Sequence, residues 1–214
     1  MLEIKNPLLK KNGKTVLVPS MSFSIVPGEI LCVSGENALS NTLLLKVLLG
    51  MQQLDGGFVT MDGDIIDGAS VSFFRKMMAY VPHDVEIPYH SIAEITECIC
   101  NLKVNKEKEF TMEMLFEEWQ KLGLQQGAWE AEISALPAAT IQLAMLSIAK
   151  ILKCPYVLID EIRDIAEPAL LANYLREMAS DGVAIIVVSN NPVIRQISHK
   201  SLNMNEIYEN INLI

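Results

Sequence analysis

Cysteine is scarce in this chain: Cys32, Cys98, Cys100 and Cys154 are the only four in 214 residues. A disulfide-dense mini-domain needs a far higher density. Cys32 and Cys154 lie in or beside apolar segments, where small buried hydrophobes belong. Cys98 and Cys100 form a lone C-x-C pair without a second pair or a His at ligand spacing, so no metal site is expected there. Long apolar runs are also missing. The longest, Val183–Val188, has six residues, the length of a buried strand and far short of the roughly 18 that a membrane helix requires. Cations are in deficit, 17 Lys+Arg against 26 Asp+Glu for a net charge of −9, which argues against nucleic acid as a partner. The opening residues lack the apolar core of a secretory signal, so a cytoplasmic protein is expected. What the chain does have is apolar substance. Half of its residues are hydrophobic, although 6% are aromatic, which is too apolar for disorder and ample for one or two domain cores.

The apolar period switches repeatedly between strand-like and helix-like, the signature of an α/β fold. Leu2–Lys5 and Thr15–Ile25 read as strands joined by a turn at Asn12-Gly13. Ile30–Ser34, Phe58–Met61 and Met77–Val81 read as short strands, and Thr42–Gly50 as a helix. From about Asp84 to Leu152 the pattern is helical, with helices expected at Ile92–Asn101, Thr111–Leu122 and Ile141–Leu152. Seven Glu and three Lys between Val104 and Glu132 give this block a watery face. Strands return at Tyr156–Ile159 and Ala184–Ser189, with helices at Glu167–Ser180 and Pro192–Ser198. The tail, Lys200–Asn210, reads as two short strands around Asn205-Glu206. The helical block therefore looks like an insertion, residues 84–152, into a core formed by 1–83 and 153–214.

The strand–loop–helix at Leu31–Gly50 carries the most information. A P-loop has the form G-x-x-x-x-G-K-[ST] between a strand and a helix, so that backbone N–H groups and a Lys can meet phosphates and a hydroxyl can meet Mg²⁺. The window here is Gly35-Glu36-Asn37-Ala38-Leu39-Ser40-Asn41-Thr42. Gly35 and Thr42 fit, Ser40 replaces the second Gly, and Asn41 replaces the Lys. Taken alone, this window is also what a capped helix start looks like.

The surrounding residues add to it. Phe23–Ile30 before the loop, Leu43–Gly50 after it, Gly56–Gly63, Phe74–Pro82 and Tyr156–Glu161 occur in an order that resembles the nucleotide-binding subunit of ABC transporters, from Leu2 to about Asn210. The 118-residue interval from Thr42 to Asp160 fits that family as well. The resemblance implies the ABC type of P-loop NTPase core, a mixed sheet flanked by helices with antiparallel N-terminal strands and an inserted helical subdomain. It implies ATP and Mg²⁺ as cofactors, with Gly35, Glu36, Asn37, Ala38, Ser40, Asn41, Thr42 and Leu43 at the nucleotide and Thr42 and Asp160 at the metal. Glu161 stands where the family activates water, His83 where its Q-loop Gln stands, and Asn190 where its switch His stands.

Most positions that carry chemistry in the family are altered here. Asn41 has no charge, and a hydrogen bond to a charged group contributes roughly 1.5–3 kcal/mol, so nucleotide binding is expected to be about 10- to 150-fold weaker. Ala38 and Ser40 add Cβ atoms where the family has glycines. Lys10, Lys11 and Asn12 replace the aromatic that stacks on adenine, and a solvated strand end is the expected role of the lysines. His83 is expected to be solvated. Leu136-Pro137-Ala138-Ala139-Thr140 takes the place of L-S-G-G-Q, with Pro137 as a good helix-start residue. Asn190 is expected to cap the helix that follows. Asp160 and Glu161 survive, with Asp160 either at a metal or hydrogen-bonded to the loop.

The resemblance implies a degenerate subunit, with ATP hydrolysis weak or absent. Its partners would be a transmembrane permease and a second cassette, in a homodimer or in a heterodimer with a complete ATPase subunit. Its place would be peripheral to the inner face of the membrane. An active ATPase of the same family and a nucleotide-independent scaffold are the two alternatives.

Overall fold

A computed structural model describes residues 1–85 and 88–212 of the chain. Glu86 and Ile87, inside the expected helical block, lie outside the described residues. The chain begins with the strands β1 (Leu2–Lys11), β2 (Lys14–Leu17), β3 (Phe23–Ile25) and β4 (Ile30–Ser34), then helix α1 (Ala38–Leu48). It continues with β5 (Gly56–Met61), β6 (Asp64–Ile65), the single turn α2 (Val71–Phe74) and β7 (Met78–Val81). Helices α3 (Ile92–Cys100), α4 (Met112–Lys121) and α5 (Ala138–Ile151) follow. The last elements are β8 (Tyr156–Ile159), α6 (Pro168–Ser180), β9 (Ala184–Val188), α7 (Pro192–Gln196), β10 (Lys200–Asn203) and α8 (Met204–Asn212).

The strands form two sheets. One is antiparallel, in the order β2-β1-β5-β6 with β3 on β1; the other is parallel throughout, in the order β10-β4-β9-β8-β7. Asn12 and Gly13 turn β1 into β2 with both φ angles positive, 52° and 75°, the requirement of a tight two-residue hairpin. The α/β expectation therefore holds, with the antiparallel strands set apart as their own layer.

Strand alternation builds the two main cores. Leu31, Val33, Leu158, Ile186 and Val188 point to one face of the parallel sheet, against α1 and the antiparallel sheet. Ile30, Cys32, Val157, Ile159, Ile185 and Val187 point to the other, against α5 and α6. Each central strand is buried at every position because both faces are covered. A third cluster joins Ile92, Leu115 and Trp119 to Ala144, Ile148 and Ile151 of α5. Helix α5 is apolar nearly all round because it serves both the sheet and this cluster. Lys121 and Lys150 tie α4 and α5 to α6: each meets both Glu118 and Glu177 at 2.7–3.0 Å.

Three of the departures from the sequence expectation have a local cause. Thr15–Ile25 is not one strand, since Pro19 lacks an N–H for the ladder and starts a short 3₁₀ turn, Pro19–Met21. Helix α1 begins at Ala38, not Thr42, because the Asn37 side chain accepts the Ser40 N–H at 3.2 Å and caps it there. The second tail strand is helix α8. Asn203 Oδ1 accepts the Asn205 N–H at 3.1 Å, and Asn203 Nδ2 donates to the Glu206 carboxylate at 2.6 Å, a reciprocal arrangement that starts a helix.

Candidate functional site

The parallel sheet delivers the candidate residues to one edge. Strands β4, β7, β8 and β9 end at Ser34, Val81, Ile159 and Val188, so Gly35, His83, Asp160 and Asn190 all emerge at their carboxyl ends. That edge is where open α/β sheets place ligands.

Asp160 is its best-buttressed member. It is 2% exposed, yet every side-chain oxygen has a donor. Thr42 Oγ1 donates to Oδ2 at 2.7 Å, the Tyr80 hydroxyl donates to Oδ2 at 3.2 Å, and the Glu161 N–H donates to Oδ1 at 3.0 Å. Burial and the Asp160 charge hold the Tyr80 phenol well above its ordinary range, so it stays a donor. The structure thus brings Thr42 and Asp160 together across 118 residues. Two hard oxygens in contact suit Mg²⁺ by chemistry.

The loop is a poorer match to a triphosphate. Gly35 N–H donates to Asn190 Oδ1 at 3.0 Å and Glu36 N–H to Asn205 Oδ1 at 3.1 Å. Ala38 N–H donates to the Glu36 carbonyl, Ser40 N–H to the Asn37 side chain, and Asn41 N–H to the Asn37 carbonyl at 3.2 Å. Five amides that a phosphate cradle would present are therefore already spoken for. Asn41 is 3% exposed; its Nδ2 donates to the Gly35 carbonyl at 3.1 Å, and among the described residues its Oδ1 has no hydrogen-bond partner. Leu43 is packed in the core. The engaged amides do not fit the phosphates, while Thr42 and Asp160 offer two of the hard oxygens that a Mg²⁺ ion would need.

Several sequence expectations change here. Asn190 does not cap α7. Asn191 does, accepting the Val193 N–H at 2.9 Å, while Asn190 grips both the N–H and the carbonyl of Gly35. Asparagine offers a donor and an acceptor side by side, which suits the N–H and C=O of a single residue. His83 is half-buried, not merely solvated, with Nδ1 2.9 Å from the Glu161 carbonyl. Glu161 meets Arg163 at 3.1 Å. Pro137 stands at the cap position of α5, one residue before its first helical residue. Leu136 and Ala138 flank it. With His83, His90 and Glu132 they wall a cavity of about 740 Å³ between the end of β7 and the start of α5. Lys10 and Lys11 are exposed, as expected.

Four contributors were not anticipated. Tyr80 had no signal beyond its place near the end of a strand. Gln142, which donates to the Pro82 carbonyl at 2.7 Å and the Glu161 carbonyl at 3.3 Å, was visible as a polar residue inside an apolar helical run. Asn205 and Tyr208 were hidden by the strand reading of the tail, although Asn203-Met204-Asn205-Glu206 has the spacing of a capping box.

The sequence profile of the ABC transporter family matches residues 18–163, more than half of the chain. The chain is 25% identical over 207 residues to the ribose import ATP-binding protein RbsA of Ruegeria sp. (strain TM1040), covering 90% of this chain and 39% of that protein. It is 37% identical over 78 residues to the energy-dependent translational throttle protein EttA of Escherichia coli O6:H1, covering 36% of this chain and 14% of that protein. It spans less than half the length of either relative. Among solved structures, the dimeric bacterial ABC transporter cassette MJ0796 superposes with a TM-score of 0.78 at 16% identity, covering 95% of this chain and 94% of that one. A putative ABC transporter ATP-binding protein from Pyrococcus furiosus gives 0.77 at 15% identity, covering 96% and 98%. Among the described residues, no helix is long and apolar enough to cross a membrane. The edge geometry, the fold and the family profile agree: this chain belongs to the ABC transporter family, as a nucleotide-binding domain of the P-loop NTPase fold.

Proposed function

We propose that this chain is a degenerate ATP-binding subunit of an ABC transporter. It pairs with a second cassette and docks on a membrane permease, with its helical block, residues 84–152, turned toward that partner. It binds Mg²⁺ and ATP weakly and contributes little or no hydrolysis of its own. The observation that carries this reading is the phosphate loop. Five of its amides are bonded within the chain, and Asn41 supplies no charge. Phosphoryl transfer depends on stabilising charge as it develops, so a loop without its cation and with its donors engaged is a poor catalyst. The positions of the switch and Q-loop residues support the same reading. Asn190 is committed to Gly35, and His83 faces a backbone carbonyl. Thr42 and Asp160 are the residues that would hold Mg²⁺, and Glu161 is the group left to orient water.

Coupling to a permease is supported by the family and by the name of the ribose import relative. Calorimetric titration of the purified chain with ATP and Mg²⁺ tests the nucleotide part of the proposal. Weak saturable binding without turnover is expected. Turnover that disappears in Glu161→Gln would establish an active ATPase instead, and no binding at millimolar ATP would favour a nucleotide-independent scaffold. Capture of the chain from its native host should bring down a membrane protein; recovery of a ribosome in its place would point toward the kind of role named for EttA.

A further inference from the structure

Helix α8 lies against the phosphate loop and occupies it from one face. Met204 is fully buried, and its Cβ sits 2.8 Å from where a Cβ on Gly35 would stand. Asn205 Oδ1 accepts the Glu36 N–H at 3.1 Å. The Tyr208 hydroxyl donates to the Val16 carbonyl of β2 and accepts from Ser40 Oγ at 3.0 Å, and Ser40 is itself buried. Positions 204, 205 and 208 fall within about 100° of one another around a helix, so a single face of α8 makes all three contacts. Its first turn is fixed by the Asn203 cap at the end of β10.

We propose that α8 is an intramolecular strap that holds this loop closed against phosphates, and that releasing it raises the loop's affinity for them. The proposal rests on reading residues 35–42 as a degenerate phosphate loop. Each amide N–H serves one good acceptor at a time, so a phosphate oxygen must displace Asn205 to reach Glu36. A phosphate oxygen is charged and is the stronger acceptor, which makes the strap displaceable rather than permanent. Tyr208 holds α1 to β2 through Ser40 and so resists the movement of the first turn of α1 that would open the loop. The helix also carries Glu206 and Glu209 and no Lys or Arg, so the strap brings negative charge, not positive, to the loop it covers.

Asn205→Ala and Tyr208→Phe in the full chain test this while leaving Met204 and Ile207 to anchor the helix. Hydrogen exchange read by NMR should accelerate about tenfold at the Glu36 amide in Asn205→Ala, the effect of losing one hydrogen bond. The double variant, with its far-UV spectrum unchanged, should bind Mg²⁺–tripolyphosphate about tenfold more tightly than the parent chain. Unchanged exchange at Glu36 overturns the strap. A double variant that loses thermal stability without gaining affinity also overturns it, because α8 would then be only part of the core. The parent chain's own turnover and permease capture are measured separately, so failure of the transporter reading is distinguishable from failure of this one.

Discussion

Thr42→Val removes one atom's worth of chemistry from the centre of the site. The two side chains have nearly the same shape, and the substitution deletes the hydroxyl that donates to Asp160 Oδ2 at 2.7 Å. Asp160 is 2% exposed, so water cannot simply take the vacated place. The remaining donor to that oxygen is Tyr80 at 3.2 Å, a longer bond. A hydrogen bond to a charged, buried group contributes roughly 1.5–3 kcal/mol, and a carboxylate left short of donors forfeits that amount. For a domain of this size each kcal/mol moves Tm by about 2–4 °C, so the expected fall is roughly 3–12 °C. Urea unfolding at neutral pH should show the same loss as a lower midpoint at constant slope. Asp160→Asn supplies the control. In that background Thr42→Val should cost much less, because an amide oxygen accepts more weakly than a carboxylate, and the double-mutant cycle should give a coupling above about 1 kcal/mol. A Thr42→Val cost under about 0.5 kcal/mol, or no coupling to Asp160, would refute the assignment of Thr42 as the carboxylate's principal donor.

Three further outcomes are expected. Gly35→Ala places a Cβ 2.8 Å from Met204 Cβ at a φ of +153°, and should lower stability by about 1–3 kcal/mol while speeding exchange of the Glu36 amide; a neutral effect would mean that α8 does not press on the loop. Trp119 is fully buried, edge-on to Phe116 and Trp129, and its indole N–H donates to Ser147 Oγ at 3.1 Å, so Trp119→Ala should cost roughly 3–5 kcal/mol in denaturant unfolding. Lys121 and Lys150 hold the Glu177 carboxyl below its ordinary value of 4.5. A depressed native pKa means stability that is present above 4.5 and lost as pH falls from there through the native value, so Glu177→Gln should flatten that part of the stability–pH profile. The Glu177 side chain is 43% exposed, which limits the change to about 1 kcal/mol or less; an acid limb identical to the parent's would show that the ion pairs contribute nothing.

Much of the scaffold was legible because its signals are local. The strands Ile30–Ser34 and Tyr156–Ile159 have the bounds their sequence predicts, since short apolar runs closed by turn residues leave little choice of element. Turn chemistry at Asn12-Gly13 was equally plain. The tail is less legible: Leu202 to Ile207 alternates enough to pass for a strand, while the Asn203–Glu206 capping pair, which decides the matter, depends on two side chains meeting. The start of α1 escapes the sequence for a similar reason. Family resemblance put a loop before Thr42, but Asn37 caps and neither Ala38 nor Ser40 has a glycine's freedom, so the helix runs a turn further back.

The sequence by itself determined the class of the molecule, the order of its elements, and the identity of what is missing from the nucleotide loop. Those are properties of residue type and spacing, and a missing Lys is missing in any fold. Only the tertiary structure decided what the remaining residues do. It set Asn190 on Gly35 across 155 positions, Tyr208 on Ser40 across 168, and Thr42 on Asp160 across 118. Buried polar groups must find partners, and at a sheet edge where four strands end, the partners come from distant parts of the chain. Composition and period carry no record of which asparagine will face which amide.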